Sequence, residues 1–334
     1  MNDLINTTLG GIALGEMFHR TAWLVRDTRS TGRSRLIKEI AATAIDPITG
    51  VNRFLSGGAF RVSEKPADMV PSRLGGVASA GVLWRGSNTR AVDSAGKPFL
   101  ELDLLYGDPT NGRSRTAYDA FGVLLRFGGG GSFSEAKVRG RLLGQPFRND
   151  RFQLNVSQAY DFSKNTAYQF GAQSFNVNVA YLGKLSSRVS IWVSGWGGLT
   201  ALGAVDSIPL TGVAPEEDDP PPGESPGQGV SEGPRYYDYG PGSDFGARAV
   251  LARDGRAIAA FVYETHHLYS LDGVRANHFL QQLRLDVLAP LRGPLGIGIS
   301  GEYFDRRTYY QDAANETRKF HFPQFRVFLT WRMS

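Results

Sequence analysis

The sequence predicts an all-β chain, a 12-stranded antiparallel transmembrane β-barrel preceded by a short α-helical N-terminal segment. Three observations predict it. From about Arg73 onward apolar residues recur at every second position, the alternating runs number twelve, and tight connections trade places with long ones. Successive side chains of a strand point to opposite faces, so each run has one apolar and one polar side. An even number of amphipathic strands of about ten residues is what a membrane barrel requires, and closure removes the exposed edges of so large a sheet.

The first sixty residues read differently. Asp3 caps a helix through Leu4, Leu9, Ile12, Ala13, Phe18, Trp23 and Leu24, with Gly10, Gly11 and Gly15 smoothing one side. A second helix is expected over 34–44, with Leu36, Ile37, Ile40 and Ala41 on one face and Lys38 and Glu39 on the other. Asp46-Pro47 stops it, and residues 50–58 read as an ordered loop leading out of the helices. Residues 1–60 thus form a helical segment, either a plug or a periplasmic unit, and 73–334 the barrel.

The strand runs lie near 73–86, 98–107, 117–128, 133–144, 150–161, 168–183, 188–203, 236–252, 256–270, 275–289, 294–309 and 320–333. Leu283, Leu285 and Val287, for example, alternate with Gln282, Arg284 and Asp286. Connections near 144–150, 184–187, 253–256 and 289–294 are tight, whereas 87–97, 204–235 and 311–319 are longer. Short turns mark the periplasmic end of an outer-membrane barrel, which puts the Pro-, Gly- and acid-rich segment 204–235 outside as a disordered-like loop. The short connection 127–133 departs from this pattern.

A soluble β-sandwich or lipocalin-like barrel also alternates, but it keeps its apolar face inside. Here the inward face would carry Glu101, Asp103, Lys137, Arg139, Arg141, Arg284, Asp286, Glu302, Arg326 and Arg332, which suits a hydrated or salt-bridged lumen. Twelve strands also enclose more volume than an apolar side-chain core fills. Trp84, Tyr106, Tyr160, Tyr181, Tyr303 and Trp331 are placed for interfacial girdles.

Composition narrows the classes. The chain of 334 residues has no cysteine, which excludes disulfides, thiolate metal sites and thiol nucleophiles. Its net charge of +5 is spread without a Lys/Arg block, so no nucleic-acid partner is expected. No run reaches the roughly 18 apolar residues of a transmembrane helix, and Met1-Asn2-Asp3 does not begin a signal peptide.

The stretch Asn2-Asp3-Leu4-Ile5-Asn6-Thr7-Thr8-Leu9-Gly10-Gly11-Ile12-Ala13-Leu14-Gly15-Glu16, followed by Arg20, resembles the central motif of domain-of-unknown-function family 3943 of bacteria. Residues 50–53, 158–162, 170–174 and 237–242 are similar to that family's later stretches. The resemblance implies an envelope protein of the bacterial outer membrane, with a signal peptide and further residues ahead of this motif in a longer natural form. It implies no catalytic residues. Outer-membrane lipid and the barrel-assembly machinery are the expected partners.

Few residues suggest chemistry. Glu264 and His266 share a strand face, and with His278 on the next strand they form a candidate polar site for a metal or for acid–base work. Simple lumen histidines are the plainer reading. Glu16, His19 and Arg20 lie together at helical spacing, as an ion pair anchoring the helix or as a gate. Tyr237-Asp238-Tyr239 reads as a loop-to-strand junction or a cation or sugar site. Residues 128–131 lack the Lys-Ser/Thr of a phosphate loop, and no Gly-x-Ser-x-Gly elbow occurs. No catalytic residue, cofactor or metal is therefore assigned. Three functions stay open: a pore or transport protein for small polar solutes, a plugged structural or partner-binding barrel, and an envelope lipid hydrolase.

Overall fold

The structure, a computed structural model, describes residues 2–87, 90–92, 95–109, 113–114, 116–128, 133–147, 151–165, 167–207, 237–311 and 317–333, with residues 2–9 as backbone alone. Most of the segment 204–235 lies outside the described residues.

Three helices come first: α1 (Asn2–Val25), α2 (Gly32–Ile45) and α3 (Pro47–Leu55). None is long and apolar enough to cross a membrane. The third corrects the expected loop at 50–58. Pro47 occupies the first turn, where no backbone N–H is needed, and the Asp46 side chain accepts from Thr49 N at 3.1 Å, so the pair that ends α2 also starts α3.

Twelve strands follow: β1 (Leu74–Arg85), β2 (Lys97–Tyr106), β3 (Phe121–Gly128), β4 (Glu135–Phe147), β5 (Phe152–Lys164), β6 (Gln169–Lys184), β7 (Val189–Asp206), β8 (Tyr237–Arg253), β9 (Arg256–Tyr269), β10 (Ala276–Pro290), β11 (Leu295–Tyr310) and β12 (Thr317–Met333). Every strand pairs antiparallel with its neighbours in sequence, and β1 pairs with β12 to close the barrel, Val82 opposite Val327. At one end, Asp254-Gly255 joins β8 to β9 with both residues at positive φ, the geometry of a tight hairpin that follows sheet twist.

The faces divide as the alternation predicts. Leu104, Leu154, Val179, Leu285, Ile299, Val327 and Leu329 stand exposed on the outer wall, while Glu101, Glu302 and Arg326 are buried within. That is the inverse of a soluble barrel and the arrangement of a wall facing lipid.

One connection breaks the short-turn rule. Between β2 and β3, at the same end as the 254–255 hairpin, the described residues Ser114 and Tyr118 bond back to β4. Tyr118 N donates to Arg141 O, and Tyr118 itself adopts the left-handed φ of 59°. β3 consequently starts at Phe121, later than the alternation from 117 suggests. The connection swings the Tyr118 ring over Gly140 on the outer side of β4, where its hydroxyl donates to Gln158 Oε1. A Cβ at Gly140 would stand 2.3 Å from that ring and 2.9 Å from Met17 Cε of α1. Tyr106, expected in an interfacial girdle, is instead buried here, stacked on Phe121 with centroids 4.6 Å apart. Ala13 and Met17 of α1 join Tyr106, Tyr118, Phe121 and Val138 in one cluster. Because Tyr106, Phe121 and Val138 alternate with inward residues, α1 lies against the outside of the wall.

Candidate functional site: a charged layer across the lumen

The interior is crossed by ion pairs. Arg126 of β3, in the middle of the web, donates through Nε to Glu101 Oε2 of β2 at 2.7 Å and through both terminal nitrogens to Glu302 of β11 at 3.0 and 3.2 Å. Arg326 of β12 donates to Glu101 Oε2 at 2.7 Å, Glu302 Oε1 at 2.8 Å and Ser300 Oγ at 2.9 Å. Arg284 of β10 reaches Glu101 Oε1 at 2.9 Å and Asp286 at 2.8 Å. A second set spans β4 and β9: Lys137 pairs with Glu264 and with Glu135 (3.0 Å), and Arg139 donates to Glu264 Oε1 at 3.1 Å. Lys137 also donates to Gln282 Oε1 at 2.8 Å. β3 and β11, like β4 and β9, are not ladder neighbours, so these contacts bridge the lumen rather than line it. Each carboxylate holds several cationic donors, which offsets part of the desolvation cost of burial.

Nearer the end opposite α1, an apolar layer adds to the filling. Phe170, Val205, Leu268, Leu280, Phe304 and Phe322 pack together, with Phe304 stacked on Phe322 at 4.9 Å. The hollow left between Arg126, Glu135 and Phe304 holds about 10 Å³, close to the least that accommodates one water. The charged layer and this apolar layer together narrow the lumen at this level.

The expected lumen residues fall into groups. Glu101, Lys137, Arg139, Arg284, Asp286, Glu302 and Arg326 belong to the charged layer. Asp103 faces inward, half-buried. Arg141 instead pairs with Asp119 of the 107–120 connection at 2.9 Å, and Arg332 sits exposed at the rim, its Nη1 3.4 Å from Gly255 O. Arg126 and Glu135 were not singled out by sequence, and Gln282 and Gln324 only as alternating polar positions. Arg126 is hidden in the apolar run Leu124-Leu125-Arg126-Phe127, although counting back by twos from Lys137 points to Glu135.

Glu264, His266 and His278 do not converge. Glu264 joins the charged layer. His266 packs at a tilt against Phe170, ring centroids 4.6 Å apart, with Nδ1 3.7 Å from Asp244 Oδ1. His278 Nε2 sits 3.1 Å from Asp238 Oδ2, at ion-pair distance but out of line for a hydrogen bond, and Nδ1 meets Thr308 Oγ1 at 3.1 Å. Asp238 is wholly buried by this pairing and by Ser207 Oγ and Val274 N, which makes it a strut of the wall. Among the described residues one trio, Asp161, Asp244 and His266, brings metal-type donor atoms within 4.8 Å of one another. Arg139 closes its fourth side, 4.0 Å from Asp161 and 4.0 Å over the Trp196 ring. Trp196 and Asn176 donate to Asp244, so a cation there would compete with a fixed guanidinium.

On α1, Arg20 Nε donates to Glu16 at 2.8 Å and its other nitrogens to Asp68 O, Thr116 Oγ1 and Ala117 O, tying the helix to the 107–120 connection. His19 turns away from Glu16: its Nδ1 meets Asp46 Oδ2 at 2.8 Å while Nε2 accepts from Trp23 Nε1 at 3.1 Å. Burial pushes the Asp46 carboxyl up, but the hydrogen bonds from Thr49 and His19 outweigh it and hold the group below the usual range.

Twelve antiparallel strands closed on themselves, apolar outside and charged within, define a β-barrel of the outer-membrane type. Residues 1–48 match the family described as Domain of unknown function (DUF3943), the segment that the first motif pointed to. No curated protein matches the chain. Similar solved structures include the NanC porin, at 11% identity over 78% of this chain and 99% of that one, with a TM-score of 0.33. The KdgM porin is similar at 7% identity over 76% and 98%, with a TM-score of 0.30, and Acinetobacter baumannii OccAB2 at 11% over 79% and 99%, with 0.25.

Proposed function

We propose that this protein is a gated outer-membrane pore for small polar solutes, closed at rest by its own side chains. The observation that carries the reading is the bridge from Arg126 to Glu302 and Glu101. A barrel filled only for rigidity is at least as stable with well-packed apolar side chains as with buried ions. Flexible Arg, Lys and Glu side chains close a passage that water and solutes enter when they swing apart. The apolar layer beyond them acts as a second barrier, of the kind that gates by dewetting. The tight packing beside Arg126 favours a second reading, a permanently plugged structural barrel.

Proteoliposome swelling separates the two. The wild-type protein should admit small amino acids slowly, and the double variant Arg126→Ser/Glu302→Ser should admit them at least about tenfold faster, the size of effect that about 1.4 kcal/mol of gate free energy produces. No swelling with either protein, despite confirmed insertion, would establish the plugged barrel.

A further inference from the structure

We infer that the N-terminal helices are not a periplasmic unit in water but lie in the membrane interface, with α2 and α3 seated in the leaflet at the short-turn end of the barrel. A helix in water hides its apolar stripe, yet α2 buries Arg35 and Glu39 and leaves Ile37 67% exposed and Ile40 55% exposed. The buried side is an ion cluster: Glu39 Oε1 accepts from Arg26 Nε at 3.1 Å and Arg53 Nε at 2.6 Å, and Arg26 packs over the Trp23 ring. α3 repeats the pattern, with Ile48 79% and Leu55 82% exposed at positions seven apart on one face. Polar groups hold these helices together, and their apolar sides point outward.

What covers that apolar side follows from where α1 is docked. Ala13 and Met17 rest on Tyr106, Phe121 and Val138, which belong to the outward, lipid-facing side of β2–β4. The helical unit therefore begins on the surface that acyl chains contact, and its exposed stripe continues that surface. Arg33, one helical turn before Ile37, is exposed where a lipid phosphate would meet it, whereas Arg29 of the α1–α2 linker pairs with Glu64 at 3.6 Å. Apolar residues on one side of a helix and basic ones at its margin are the features of a helix lying in an interface. The occupant is thus phospholipid, acyl chains against Ile37, Ile48 and Leu55 and phosphate against Arg33. This inference holds whether or not the lumen conducts.

The chain has no cysteine, so single labels are clean. Nitroxides at Ile37→Cys, Ile48→Cys and Leu55→Cys would be placed in the full chain, reconstituted in phosphatidylethanolamine/phosphatidylglycerol vesicles. Leu199→Cys on the outer wall gives the lipid reference, and Arg188→Cys in an exposed turn the aqueous one. Collision with oxygen should exceed collision with a water-soluble nickel chelate at all three helix sites, as at Leu199. Nickel accessibility like that of Arg188 would overturn the inference by showing a free aqueous face. Shielding from both reagents would overturn it in favour of a protein partner or a second copy.

Discussion

Individual side chains carry unequal weight in this wall. Arg126 satisfies three carboxylates at once, and removing it leaves buried charge without its partner. Arg126→Ala should lower stability to urea by about 3 kcal/mol, the lower end for a broken buried pair because Arg284 and Arg326 remain. Arg332→Ala at the exposed rim should change it by less than about 0.5 kcal/mol. Asp46 gives the helices an acid dependence. Its folded-state pKa lies below the unfolded one, so its stabilisation is present above about pH 4 and is lost as pH falls through the folded value. Proteolysis within residues 1–60 should accelerate below that pH in the wild type and show a weaker pH dependence in Asp46→Asn, whose cleavage should already be faster at neutral pH. An unchanged pH profile in Asp46→Asn would remove this carboxylate from the account.

At the scale of elements, the strands were legible and the packing of the helices was not. Alternation such as Leu283, Leu285 and Val287 against Gln282, Arg284 and Asp286 reports which face a residue takes, because the strand period is two. It does not report which strands stand opposite across the lumen, since that depends on closure and shear. Lys137 and Glu264 were therefore each legible as polar positions but not as a pair. α3 was missed because Gly50, Gly57 and Gly58 mask the helical stripe of Ile48, Val51 and Leu55. Arg20 was legible as a partner of Glu16, whereas its bonds to Thr116 and Ala117 depend on a connection that folds back on the wall. Gly140 tests that docking. Gly140→Val places methyl groups where Tyr118 and Met17 now sit. It should detach α1, seen as faster cleavage of residues 1–60, while the barrel keeps its resistance to protease. Unaltered cleavage would mean that the helix is held elsewhere.

The whole molecule joins two inversions. The barrel is polar inside and apolar outside, and the helices beside it bury their ions and expose their aliphatic residues. Both arrangements follow when the surrounding solvent is lipid, in which backbone groups must be paired internally and apolar side chains face outward. Closing the barrel satisfies the strands, and the charged web then occupies the volume that twelve strands enclose. On this reading the web, rather than the N-terminal helices, keeps the lumen shut. Single-channel recording in planar bilayers would compare the wild type, a variant lacking residues 1–60 and Arg126→Ser/Glu302→Ser. Rare, brief openings are expected in the first two and sustained conductance in the third. Sustained conductance on deleting the helices, with the double variant as quiet as the wild type, would contradict it.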